Sequence, residues 1–257
     1  MSIIEAIVLG LVQGLTEFIP VSSSGHLLLA HEVFGTSDNN LAFDVALHGG
    51  TLLALLVYFK NDLYNLTTKV FTDSKEGKLA RLLLVATIPA ALAGLFFNGF
   101  IEDTLRSSFV VGLALTIVGI LMLVADRRIA AHTDEEVTRE QGLKVGFAQV
   151  LALIPGVSRS GITMTAGLFA GMSRVQAARF SFLLAIPIIA GSAFGVLIKG
   201  GLGDTATDTI LIGILTAFLS GLLAIKFMLK VIANVGLKPF AIYRIALGVV
   251  VLLFLAI

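Results

Sequence analysis

The chain has 257 residues, 57% of them hydrophobic and only 14% charged, with a mean hydropathy of +0.98, which excludes a water-soluble globule. Eighteen Lys plus Arg against 17 Asp plus Glu leave a net charge of +1, too small an excess to neutralise the phosphates of a nucleic-acid partner. With no cysteine, thiolate catalysis, Cys-ligated zinc and disulfide frameworks all drop out, and the redox compartment is not readable from this residue type.

The first apolar region, residues 3–30, is broken by Pro20-Val21-Ser22-Ser23-Ser24-Gly25-His26, and neither half reaches the roughly 20 residues that cross a hydrocarbon core. A signal peptide is a poor alternative, because the segment lacks a basic start and carries Glu5 and Glu17. Three candidate spans follow, at residues 41–59 (interrupted by Asp44 and His48), 82–101 and 107–125. A second broken region, residues 143–170, is interrupted by Pro155-Gly156-Val157-Ser158-Arg159-Ser160-Gly161. Three more spans close the chain, at 180–198, 209–225 and 240–257, the last interrupted by Arg244. Irregular backbone at membrane depth survives only where protein or a water-filled cavity satisfies it, so both breaks read as re-entrant helix hairpins lining a site. The expected fold is an all-α polytopic membrane protein with six spans and two such hairpins, in a single membrane domain over 1–257.

Sliding the chain by 136 positions lays Gly10 on Gly146, Gln13 on Gln149, Leu15 on Leu151, Val21 on Val157, Ser22 on Ser158, Ser24 on Ser160 and Gly25 on Gly161. The reading is two copies of one unit, about 1–126 and about 141–257, joined by a cytoplasmic linker at about 127–140. If each hairpin returns to its own side, each unit has three crossings, and the second copy is inverted. This topology places 15 of the 18 basic residues, Arg244 among them, on the side opposite the N-terminus, with Arg106 and Lys199 on the other side and Arg159 in the second break. The positive-inside bias makes the richer side cytoplasmic, so both termini and the site opening are expected outside, in a plasma (inner) membrane.

Arg159 stands at a buried break, where an unpaired charge is costly, and its guanidinium can fork onto two phosphate oxygens; the bland alternative is a structural ion pair with Glu17. Both breaks lead into short helices, at about residues 25–34 and 161–171, whose N-terminal N–H groups favour an anion. Ser22, Ser24, Gly25, Ser158, Ser160, Gly161 and Thr163 are the expected phosphate-binding residues, although small polar residues also serve close helix packing. Gln13 and Glu17 share a helix face and offer hard oxygens to magnesium or calcium, with a protonated, hydrogen-bonded Glu17 as the alternative. His26 is a candidate acid or base. Asp44 and His48, again four apart, are weaker candidates, since Asp44 near a span end can serve only as a cap, while His31, His132 and the Asp134-Glu135-Glu136 run read as interface or solvated-loop residues.

Gln13-Gly14-Leu15-Thr16-Glu17, the Pro20–His26 run and Pro155-Gly156-Val157-Ser158-Arg159-Ser160-Gly161-Ile162-Thr163 together make the whole chain resemble the undecaprenyl-diphosphate phosphatase family, the membrane enzymes associated with bacitracin resistance. The resemblance implies removal of the terminal phosphate of undecaprenyl diphosphate, regenerating the monophosphate carrier for cell-wall synthesis, with a divalent cation required. Gln13 stands where many members have Glu, which leaves Glu17 the firmer metal or acid/base residue. The expected catalytic set is Glu17, Ser23, His26 and Arg159, with three nucleophiles open: Ser23 activated by His26, His26 itself, or water activated by Glu17. The competing class is a flippase or transporter of a polyprenyl phosphate or another anion.

Overall fold

The computed structural model describes residues 1–35, 41–127, 136–198 and 206–256. Among them every regular element is helical: α1 (Ile3–Phe18), α2 (Ser23–Phe34), α3 (Leu41–Tyr58), α4 (Lys60–Thr68), α5 (Lys75–Phe100), α6 (Ser108–Asp126), α7 (Arg139–Ala148), α8 (Arg159–Phe169), α9 (Arg174–Ile198), α10 (Thr207–Val235) and α11 (Lys238–Phe254). A π-helical turn, Ile101–Leu105, follows α5, and a 3₁₀ turn, Gln149–Leu153, extends α7.

Each of the six apolar stretches forms a helix, and among the described residues four or five spans meet the length and apolarity that a crossing needs. Helices α5, α6, α9 and α10 are long and apolar enough to cross a bilayer, and α3 with α4, bent by 78°, makes a fifth if the pair counts as one span. The last helix, α11, has only 17 residues. The chain is a multi-pass membrane protein, and its outward faces fit that solvent: Leu95, Phe96, Leu211, Leu223 and Phe254 all stand exposed. His132, Asp134, Glu135 and most of the expected linker lie outside the described residues; Glu136 pairs with Lys75 at 2.8 Å.

Close helix contacts rest on small residues. α1 packs along α10, and a Cβ on Gly10 would come within 2.6 Å of the Gly213 carbonyl oxygen. On the other side α7 packs on α5, where Gly146 lies against the Ala86 backbone. The remaining large contacts are α6 with α11 and α3 with both α9 and α10. Phe18, Phe59 and Phe182 anchor the main apolar core, with Phe18 and Phe182 edge to face at 5.5 Å. The broken segments, α1–α2 and α7–α8, pack inside this frame, so their polar turns are held by protein.

Candidate active site

The two breaks form in the same way. Ile19 and Ile154, each preceding a proline, are extended (ψ 131° and 123°), which ends the first helical arm. Ser22 and Ser158 then cap the short helices α2 and α8 at φ 77° and 71°, the only non-glycine residues with positive φ among those described. A side chain with a Cβ is strained there, at a cost on the order of 1–3 kcal/mol. Each strained serine accepts a hydrogen bond from the N–H three residues on, Gly25 at 3.3 Å and Gly161 at 3.1 Å, and each hydroxyl lies 3.2–3.3 Å from that of the serine two residues on, Ser24 or Ser160. The serines are 136 positions apart, so the sequence correspondence holds in local geometry. At the third helical residue of α8, a Cβ on Gly161 would meet Arg244 Nη1 at 2.5 Å and displace the guanidinium.

Glu17, in the last turn of α1, is where the two segments meet. Its Oε1 accepts from Arg159 Nη2 at 2.7 Å, and its Oε2 accepts from Ser23 Oγ at 2.6 Å and Gln13 Nε2 at 3.1 Å. The carboxylate is 6% exposed and the guanidinium 11%, so the pair is barely hydrated and its charge-assisted bonds are strong. The ion pair weighed as the bland alternative therefore forms, and Ser23 joins it. Arg159 also donates to the Ser181 carbonyl at 3.2 Å. Ser24 Oγ, at the exposed rim, accepts from Gly156 N at 3.5 Å and so bridges the breaks.

The other expected residues are placed less uniformly. Ser160 and Thr163 are fully buried, and the Thr163 hydroxyl engages Arg159 O and Ser181 Oγ at 2.7 Å each. The His26 ring bonds Ser22 O and Tyr243 Oη rather than Glu17 or Arg159. Two readings are corrected. His31, read as an interface or loop residue, is buried on Asp44 at 2.9 Å, and the Asp44 carboxylate also pairs with Arg106 at 3.8 Å rather than simply capping α3. His48, the weaker candidate paired with Asp44, sits with Nδ1 on Asp44 O at 2.8 Å and Nε2 3.7 Å from Glu17 Oε2.

The largest correction concerns Arg244, counted among the cytoplasmic loop cations. It is wholly buried in α11 and reaches both breaks: Nη1 donates to Pro20 O at 3.3 Å, and Nη2 to Gly156 O at 2.9 Å and Val157 O at 2.8 Å. Removing a guanidinium from water costs several kcal/mol, offset here by three carbonyls that would otherwise lack partners. Arg159 is thus one of two buried guanidinium groups at the breaks. The signal was present in the sequence, as a lone charge interrupting an apolar run.

A divalent cation can be tested against the side chains in place. Gln13 Oε1 is buried without a hydrogen-bond partner, an orphaned hard oxygen on the residue that touches Glu17. No cluster of three His, Asp or Glu exists among the described residues, so protein alone offers one carboxylate and one amide carbonyl. That sparse oxygen set fits a cation that completes its shell with substrate phosphate and water, as magnesium commonly does.

The fold and site together define a helical membrane protein in which two polar turns converge on a buried carboxylate, a serine hydroxyl and a guanidinium. The chain belongs to the bacitracin resistance protein BacA family, whose profile matches residues 6–250. Among similar proteins, undecaprenyl-diphosphatase 1 of Pseudoalteromonas translucida (strain TAC 125) is 45% identical over 264 residues, covering 99% of both chains. The undecaprenyl-diphosphatase of Hahella chejuensis (strain KCTC 2396) is 46% identical over 266 residues, again 99% of both. That of Aliivibrio salmonicida (strain LFI1238) is 46% identical over 267 residues, covering 100% of this chain and 99% of its own.

Proposed function

We propose that this chain is an undecaprenyl-diphosphate phosphatase, hydrolysing the lipid diphosphate to undecaprenyl phosphate and inorganic phosphate. It thereby recycles the carrier for cell-wall synthesis and confers bacitracin resistance. Full-length similarity to proteins of that name supports the reaction. The observation that carries the site is Ser23 Oγ donating to Glu17 Oε2 at 2.6 Å while Arg159, from the other break, holds Oε1.

In this reading the diphosphate lies between the N-termini of α2 and α8, with Ser22, Ser24, Gly25, Ser158, Ser160 and Gly161 building the two turns that present N–H groups to it. Thr163 holds Arg159 O and so supports the start of α8. The phosphate competes with Glu17 for Arg159, and as the guanidinium shifts toward it the carboxylate is freed to take the Ser23 proton. Ser23 Oγ then attacks the terminal phosphorus, the anhydride bond breaks, and undecaprenyl phosphate leaves. Water releases phosphate from the serine in a second displacement, with His26, three residues from Ser23 on the same helix, as the second acid/base group. Glu17 and Gln13 would hold magnesium or calcium, which supplies charge neutralisation on the phosphate oxygens.

The inverted repeat belongs to this proposal, with units at about 1–126 and 141–257. The packing pairs support it: α1 on α10 mirrors α7 on α5, while α6 with α11 and α3 with α9 pair corresponding helices of the two units. The plasma-membrane placement with both termini outside is part of the same proposal. A flippase gains nothing from a serine hydroxyl aimed at a carboxylate, which favours catalysis. The test is phosphate release by purified protein from undecaprenyl diphosphate with magnesium or calcium. Turnover is expected; lipid movement across vesicles without phosphate release would establish the flippase instead.

A further inference from the structure

His26 is held at both ring nitrogens. Nδ1 lies 2.7 Å from the Ser22 carbonyl oxygen and Nε2 lies 2.7 Å from Tyr243 Oη. A backbone carbonyl only accepts, so Nδ1 carries a proton; in the neutral ring Nε2 then bears the lone pair, and the phenol donates to it. The carbonyl belongs to the strained cap residue of α2 and also accepts from the His26 backbone N–H at 3.1 Å. The Tyr243 and His26 rings lie within 15° of parallel, centroids 5.7 Å apart, so the tyrosine restrains the orientation of the imidazole as well as its tautomer. Tyr243 precedes Arg244 in α11, and successive positions on a helix point about 100° apart. One helix therefore anchors the breaks with one residue and reaches the histidine with the next. Tyr243 is 47% exposed, unlike the buried arginine.

We propose that Tyr243 is a positioning residue for His26: its hydroxyl at Nε2 and its stacked ring hold the imidazole in the orientation that the reaction uses. The inference rests on the reading of His26 as an acid/base group. The Ser22 carbonyl of the first hairpin fixes the tautomer, and Tyr243 adds a restraint on the ring from α11.

The test compares Tyr243→Phe with wild type in phosphate release and in the ¹⁵N spectrum of histidine-labelled protein, the His26 signals among the four histidines being assigned by difference with His26→Gln. The phenylalanine ring preserves the stacking and removes only the hydroxyl. The expected result is a fall in kcat of about tenfold, the scale of one lost hydrogen bond to the reacting group, with KM little changed. It is accompanied by a displaced Nε2 resonance and an unaltered thermal midpoint. Wild-type kcat, or an Nε2 resonance that does not move, overturns the inference. The underlying reading fails separately: His26→Gln with wild-type turnover removes His26 from the chemistry whatever the spectrum of Tyr243→Phe.

Discussion

Replacing Arg244 by methionine isolates what the buried guanidinium does, because methionine keeps an unbranched apolar stem of similar reach and loses only the charged fork. Three carbonyl oxygens, of Pro20, Gly156 and Val157, lose their donor. At about 1.5 kcal/mol for each charge-assisted bond the gross loss is about 4–5 kcal/mol; the desolvation of the guanidinium, no longer incurred, returns part of it, leaving a net destabilisation of about 2–3 kcal/mol. The effect on turnover is larger than that figure implies. The same side chain fixes Pro20, two residues before Ser22, and Val157, two before Arg159, so both halves of the site lose their common anchor. A displacement of about 1 Å in reacting groups is enough for about a 100-fold loss of rate. Thermal unfolding in detergent and phosphate release from undecaprenyl diphosphate measure the two effects. Arg244→Lys should recover little, since a single ammonium lacks the fork that lets two nitrogens serve carbonyls of both breaks. Arg244→Met with wild-type unfolding and turnover would refute the clamp.

Ser23→Ala leaves Glu17 and Arg159 paired and should retain folding while lowering kcat by at least about 10³-fold, read as phosphate release. The strained caps give a contrast in thermal midpoint. Ser22→Gly relieves the positive φ and should match or exceed wild type in stability, whereas Ser22→Ala keeps the strain, loses the cap to Gly25 N and should cost about 1 kcal/mol. Gln13→Leu, which removes the orphaned oxygen, should raise the magnesium or calcium concentration required for half-maximal turnover, measured by cation titration, and should not lower the thermal midpoint.

Much of the architecture was legible because apolar length and Pro-Ser-Gly interruptions are properties of the chain itself. Residues 20–26 and 155–161 were readable as breaks, and the short helices begin two residues earlier than expected, at Ser23 and Arg159. The meeting of Glu17, Ser23 and Arg159 was expected from the repeat, whereas the hydrogen bond from Ser23 to Glu17 was not. The positive φ of Ser22 and Ser158 has no sequence signal, since serine is ordinary at a helix cap and its strain comes from the surrounding packing. Arg244 and Tyr243 were missed for a different reason. A charge and an aromatic near the start of an apolar run read as an interfacial anchor, and only the inward packing of α11 on α6 turns Arg244 into a buried clamp. His31 and Asp44 escaped likewise, because a pair 13 residues apart on two helices shares no periodicity.

The central claim is that the two breaks form one catalytic unit through Glu17 and Arg159. It is tested most directly by measuring kcat/KM for Glu17→Gln, Arg159→Met and the double variant on undecaprenyl diphosphate. Direct partners in one reaction give strongly non-additive losses, so the double variant should be about as slow as the slower single one, a coupling of at least about 2 kcal/mol. Losses that simply multiply would mean that the residues act independently, and would contradict the account.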